Sequence, residues 1–260
     1  CHTNTSDPFL TIHKNRFQIG FLFLLQQPTN PNMHFNILGV IPARYASSRF
    51  PGKPLVQIGG KTMIERVWQQ VSQCPQLSKI IIATDDQRIF DEVKRFGGEV
   101  EMTDSGDQSG TDRIHEVAAR HPAYDLIVNI QGDEPMIQPE QIQLVLEPFF
   151  ADPQTEIATL VQPFATLAEA QNPNSPKVVL RKDGTALYFS RSVIPFPRNE
   201  NPPITFWKHI GIYAWKNQVL QQLAILPVSS LEKAESLEQL RWLENGFQIH
   251  TKVTTFKTWA

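Results

Sequence analysis

The run Pro42-Ala-Arg-Tyr-Ala-Ser-Ser-Arg-Phe-Pro-Gly-Lys-Pro-Leu55 puts three cations, Arg44, Arg49 and Lys53, in one short loop. Guanidinium forks match phosphate oxygens, and a lysine adds a mobile point charge. Such a set suits a triphosphate, whose charge must be neutralised before a nucleophile approaches its α-phosphorus. Gly52 admits unusual backbone angles, and two prolines stiffen the loop. The spacing is neither that of a Walker A loop nor a G-x-G-x-x-G fingerprint, so ordinary P-loop and dinucleotide chemistry are excluded. A generic basic loop is a solvated one. Here it follows the first apolar strand directly, where ligands of open α/β sheets bind.

Asn129-Ile-Gln-Gly-Asp133 closes another apolar strand with a carboxylate. A hard oxygen at that end suits magnesium, which binds through one or two carboxylates plus substrate phosphates. The alternative is an Asp capping the next turn. Gln108-Ser-Gly-Thr111 precedes a helical stretch. It reads as an N-cap and, at the same time, as a set of free N–H groups able to bond an anion or a base edge.

The elements that must position these groups follow from periodicity. Phe35–Pro42 reads as a strand buried on both faces, Lys79–Thr84 as the next strand, Val100–Met102 as a short extended segment and Leu126–Ile130 as another buried strand. Between them, Thr62–Ser72, Gln87–Phe96 and Thr111–Arg120 read as helices, with Asp85–Asp86 capping the second. This alternation predicts right-handed crossovers and an open, mostly parallel sheet. After Pro139 the pattern predicts Ile157–Val161, Lys177–Leu180, Ala186–Phe189 and His209–Trp215 as mixed or antiparallel strands with fewer helices between them. Leu231–Asn245 reads as one helix ended by Gly246, and Ile194–Ile204 as a proline-rich loop.

The chain has 260 residues and a formal charge of −2, with no basic surface that would suit nucleic acid or an anionic membrane. Its two cysteines exclude a disulfide framework and favour a reducing compartment. The longest apolar run, Ile19–Leu25, is too short to span a bilayer. Residues 1–32 lack sustained periodicity and are expected to be a non-native or disordered extension, leaving 33–260 as a single α/β domain.

The loop resembles the opening signature of the CMP-KDO synthetases, the 3-deoxy-manno-octulosonate cytidylyltransferase family. The likeness continues through Ala83-Thr-Asp-Asp86, Gln108-Ser-Gly-Thr-Asp-Arg113, Asn129-Ile-Gln-Gly-Asp-Glu-Pro135, Ala186-Leu-Tyr-Phe-Ser-Arg191, Lys208-His-Ile-Gly-Ile-Tyr213 and Glu235-Ser-Leu-Glu-Gln-Leu-Arg241. Seven blocks in family order make a specific signal. The resemblance implies a Rossmann-like nucleotide-sugar transferase fold: a mostly parallel central sheet flanked by helices, with a smaller mixed or antiparallel region in the second half. It implies transfer of CMP from CTP to 3-deoxy-D-manno-octulosonate (KDO) with release of pyrophosphate. By residue, it implies that Pro42, Ala43, Arg44, Ser47, Arg49, Lys53, Gln108, Ser109 and Gly110 hold the nucleotide. Gln131, Arg191, His209, Tyr213, Glu238 and Gln239 would hold the sugar, with Arg191 as a fork for its carboxylate. Asp133 is implied as the ligand of Mg2+, and Arg44, Arg49, Lys53 and Asp133 as the catalytic set. On its own, His209 reads as a structural histidine. No residue stands out as a general base. The resemblance further implies a homodimer in the bacterial cytoplasm, serving lipopolysaccharide biosynthesis.

One departure stands against the family pattern. After Val253 that pattern continues with Asp-Thr-Pro-Glu-Asp-Leu, whose first Asp is the second metal ligand, whereas this chain reads Thr254-Thr-Phe-Lys-Thr-Trp-Ala260. The C-terminal end is therefore expected to be truncated or altered. The rival readings are a cytidylyltransferase for sialic acid or amino-KDO, and a CTP-binding form that does not release pyrophosphate.

Overall fold

The computed structural model describes residues 34–46, 50–104, 106, 110–199 and 204–256. The extension expected over residues 1–32 lies outside them, as do Ser47, Arg49, Gln108 and Ser109.

The apolar run Ile37–Pro42 forms β1. A hairpin follows, β2 (Gln57–Ile58) and β3 (Lys61–Thr62), turning on Gly59 and Gly60 at φ 56 and 80. Next come α1 (Met63–Val71), β4 (Lys79–Thr84), α2 (Gln87–Arg95), β5 (Val100–Met102), α3 (Gly110–Arg120) and β6 (Leu126–Asn129). Thr62 caps α1 through its hydroxyl, and Asp86 caps α2 through its carboxylate. The second half runs α4 (Pro139–Ala151), β7 (Ile157–Pro163), α5 (Leu167–Ala170), β8 (Lys177–Leu180), β9 (Ala186–Ser190), β10 (Trp207–Lys216), α6 (Asn217–Ala224), α7 (Ser230–Glu235), α8 (Gln239–Glu244) and β11 (Ile249–Val253).

Strand β1 lies between β4 and β6, parallel to both, and β5 continues the parallel set beyond β4. Its side chains alternate between two layers. Ile37 and Ile41 pack with α1, α2 and α4, while Leu38 and Val40 pack with α3, α6 and α8. This is why the run reads as continuously apolar. The mixed half joins the same nine-stranded sheet: β10 runs antiparallel between β6 and β7, and β11 lies parallel outside β7. An antiparallel ladder of β8 and β9 hangs from the start of β10.

Only the four-residue α5 lies between the strands expected after Pro139, as the pattern predicts, but one helix ahead of them was not foreseen and a second expectation needs correction. The unforeseen element is Pro139–Ala151, a 13-residue helix. Proline at its first turn is compatible with a helix start, but Pro148 inside it and apolar residues around much of its circumference hide the helical period. The single helix expected over Leu231–Asn245 is two, broken where Ser236 adopts φ 50 and ψ 49. Tertiary bonds compensate for the break. The carboxylate of Glu235 accepts from the Ser190 hydroxyl (2.6 Å) and the Arg191 N–H (2.8 Å), and the Arg191 guanidinium donates to the carbonyls of Glu235 and Ser236. Gly246, at φ 86, ends α8 as expected.

The buried face of α4 yields a stability test. Phe149, 1% exposed, sits in the core, whereas Phe196 is 85% exposed. Phe149→Ala should destabilise the chain by about 3–5 kcal/mol in urea denaturation. Phe196→Ala should stay within about 0.5 kcal/mol of the parent.

Candidate active site

Beyond the carboxyl end of β1, Ala43 donates its N–H to Ala83 O at 2.8 Å, carrying the β1–β4 pairing one step further. On the other side the chain leaving β6 crosses very close. A Cβ on Gly132 would lie 2.5 Å from Pro42 O, so only glycine fits without a shift. The two strand ends and the first turn of α3 enclose a cleft of about 240 Å³, lined by Pro42, Ala43, Arg44, Lys53, Gly110, Arg113, Gln131 and Asp133 among others. Seven of the residues expected from the sequence thus meet in one place.

The basic loop bends through Gly52, whose φ of 73 is left-handed and whose N–H donates to Tyr45 O at 2.9 Å. The Tyr45 ring fills the space a side chain at Gly52 would occupy. Above that ring, 3.3 Å from its centroid, sits the Arg88 guanidinium. Arg88 itself forks onto Asp86 at 2.9 and 2.6 Å. The loop is therefore pinned from α2 while Arg44 and Lys53 stay at the cleft.

Lys53 Nζ donates to Asp133 Oδ2 at 2.7 Å, across 80 residues of sequence. Asp133 is therefore paired across the cleft rather than spent capping its own turn. With side chains 36% and 43% exposed, the pair contributes at most about 1 kcal/mol and is easily exchanged. The adjacent Glu134 is buried, and burial foremost, with the charge of Asp133 adding, pushes its carboxyl above the usual range. Two neighbouring carboxylates thus differ in kind: one faces the cleft, the other does not. Arg113, which sequence reasoning left unassigned, is almost fully buried and bonds Asp85 at 3.0 Å and the Thr103 hydroxyl. Its place in the first turn of α3, within a quoted motif block, was the available signal.

Gln131 links the cleft to β10 by donating to Gly211 O at 2.9 Å, where the strand bulges between Ile210 and Tyr213. His209 and Tyr213 still share a face, their rings 5.3 Å apart. Phe189 meets His209 edge-on at 5.1 Å, and Trp242 meets Tyr213 at 5.2 Å. The Thr159 hydroxyl lies within reach of the carbonyls of Ile212 (2.8 Å) and Ile210 (3.1 Å) and gives its one proton to that pair, so its oxygen accepts from His209 Nε2 at 3.1 Å. Burial pushes His209 down to about 3, so its ring is neutral at physiological pH. The hydroxyl of Tyr213, the side-chain nitrogen of Gln239 and the side-chain oxygen of Asn129 are buried without a partner in hydrogen-bond geometry. Each such group costs on the order of 1–3 kcal/mol. Tyr213 and Asn129 are register partners on β10 and β6, and that pair of unsatisfied groups suits a polyhydroxylated ligand. Asn129 too was unassigned from sequence.

Glu238 accepts from the Thr111 hydroxyl and from Arg241, each at 2.6 Å, and burial raises its carboxyl. Arg191 donates one N–H each from Nε, Nη1 and Nη2 to the carbonyls of Glu235, Pro173 and Ser236, which fixes its side chain and uses three of its five N–H groups. Thr254, where the family pattern has its second carboxylate, is fully buried and donates its N–H to Val161 O at 2.8 Å.

Two tests follow. Gly132→Ala should lower stability by about 1–3 kcal/mol, read as a reduced urea midpoint, because the new methyl displaces the Pro42 carbonyl. For His209, whose folded value lies below the ordinary 6.5, the stabilisation is complete above that value and is lost as pH falls toward about 3. The urea midpoint should therefore drop between about pH 7 and about pH 4.5, and drop less in His209→Gln.

Residues 38–251 match the sequence profile of the family described as cytidylyltransferase. The chain is 54% identical to the 3-deoxy-manno-octulosonate cytidylyltransferase of Parabacteroides distasonis, over 85% of this chain and 91% of that one. It is 53% identical to the protein of the same name from Bacteroides thetaiotaomicron, with the same coverage. Among solved structures it resembles CMP:2-keto-3-deoxy-manno-octonic acid synthetase complexed with CTP, with a TM-score of 0.82 and 45% identity over 86% of this chain and 91% of that chain. With the cationic loop and the Asp133 cleft in place, the chain belongs to the 3-deoxy-manno-octulosonate cytidylyltransferase family.

Proposed function

We propose that the chain transfers CMP from CTP to KDO, forming CMP-KDO and pyrophosphate. The observation that carries this reading is the Lys53–Asp133 pair across a cleft that Arg44 and the start of α3 also line. The names of the relatives, and the CTP complex of the structural neighbour, support the choice of nucleotide and sugar.

Arg44 and Lys53 counter the phosphate charge as the sugar's anomeric hydroxyl oxygen bonds to the α-phosphorus, its proton passes to solvent and the bond to the departing pyrophosphate breaks. Positioning and electrostatics carry the step, with no dedicated base required of the protein. Among the described residues no cluster of three or more His, Cys, Asp or Glu could cage a metal ion. One half-exposed carboxylate fits the alternative, magnesium that keeps its waters and shares ligands with the nucleotide's phosphates. Asp133 would hold such an ion, which when bound would supply positive charge to the α-phosphate. His209, neutral and hydrogen-bonded to Thr159, orients the pocket wall rather than exchanging protons.

The reading extends to a homodimer in the bacterial cytoplasm that serves lipopolysaccharide assembly. A monomeric mass in solution would contradict the dimer. No described helix is long and apolar enough to cross a membrane.

The deciding assay is pyrophosphate release with CTP, KDO and Mg2+, each omitted in turn. Release should require all three, and sialic acid or amino-KDO in place of KDO should support it poorly. Asp133→Asn should reduce kcat/KM by at least about 100-fold. Its melting temperature should fall by no more than a few degrees, because the half-exposed pair it removes contributes at most about 1 kcal/mol. Near-normal turnover in that variant would refute the role of Asp133.

A further inference from the structure

We propose that Thr111 is a positioning residue that couples the nucleotide cleft to the sugar pocket through its hydrogen bond to Glu238. This inference rests on the reading of the site given above.

Helix α3 begins at the cleft. Gly110 forms part of the wall, its Cα side facing Pro42, and a Cβ there would lie 3.7 Å from the proline ring. The first-turn N–H groups of a helix have no intrahelical partner, so ligand in the cleft acts on the residues of this turn. Two side chains leave the turn in different directions. Arg113 reaches Asp85 and Thr103, at the ends of β4 and β5, and fixes the helix to the parallel half of the sheet. Thr111 reaches the other way, to Glu238, 127 residues further along the chain.

Glu238 is held at both oxygens. Thr111 donates to Oε2 and Arg241 to Oε1, each at 2.6 Å, and Arg241 is in turn fixed to Leu226 O at 3.1 Å. The Arg241 bond keeps Glu238 within its own short segment, three residues away. The Thr111 bond ties this segment to α3 at the cleft end of the helix, while apolar packing joins the two further along. Gln239, whose buried side-chain nitrogen lacks a partner, is the next residue. A shift of α3 at the cleft therefore reaches Glu238, and Gln239 beside it, through the buried hydroxyl of Thr111, which is 8% exposed. Coupling of this kind requires a contiguous physical contact between the two sites, and the Thr111–Glu238 bond is such a contact.

The test uses Thr111→Val, which keeps the shape and removes the hydroxyl, and Thr111→Ser, which restores it, in the full chain. For Thr111→Val, the KM for KDO should rise about tenfold, the order expected when a hydrogen bond to a charged group is lost. Affinity for CTP measured alone should stay within about twofold. The factor by which saturating CTP tightens KDO binding should shrink in Thr111→Val and return in Thr111→Ser. In a Glu238→Gln background, Thr111→Val should add little further loss. Equal losses in CTP and KDO binding, failure of serine to rescue, or additive losses in the double variant would overturn the proposal. If the parent chain itself releases no pyrophosphate, the functional reading fails instead, and the two failures are thereby distinguished.

Discussion

The near contact between Gly132 and the Pro42 carbonyl sets the dimensions of the whole site. Two parallel strands end side by side, and the segment leaving β6 must cross the end of β1 before it can present Asp133. With any side chain at residue 132, that crossing lifts away and the carboxylate recedes from Lys53. With glycine, the separation closes to a 2.7 Å ion pair. The loop carrying Lys53 is fixed independently, by Gly52 folded against Tyr45 and by Arg88 stacked on the same ring. Both partners of the pair are thus placed by backbone constraint and ring packing, and the weak exposed attraction between them reports the geometry without creating it.

The other half of the site is built by a different principle. Its aromatic floor is rigid and buried, and its polar groups are arranged without internal satisfaction. A native interior rarely tolerates several such groups close together. Here they adjoin a bulge in β10, where the ladder to β7 is already interrupted. The bulge frees local backbone for Gln131 and Thr159 to bond, and this keeps His209 and Tyr213 on one face despite the shift in register.

Much of the parallel half was legible in the sequence, because strands buried on both faces leave continuous apolar runs and capped helices announce their starts. Lys79–Thr84 and Val100–Met102 were read to the residue. The meeting of Lys53 with Asp133 was legible only through the rule that ligands gather at strand ends. Less was legible where tertiary contacts override local pattern. Pro148 and an unusually apolar surface concealed α4. Nothing in Leu231–Asn245 itself announces a break, because the bonds that compensate for Ser236 come from Ser190 and Arg191, some 45 residues away. The same bonds explain why Arg191 is occupied with carbonyls. Arg113 went unassigned because a cation in a first helical turn has no local pattern that distinguishes burial from exposure.

The broken helix has an evolutionary consequence. Residues Glu235 to Gln239 owe their placement to side-chain bonds from elsewhere, and not to a continuous helical ladder. A segment secured in that way can change its path by exchanging a few anchoring residues, with the sheet left undisturbed. The nucleotide end has no such freedom, since its spacing is fixed by glycines against backbone and ring. In the proposed reading, the architecture therefore divides into a donor end fixed by close backbone contacts and an acceptor end that a few side chains anchor. Within one scaffold, new acceptors can arise by re-anchoring a single turn while activation of the nucleotide is inherited unchanged.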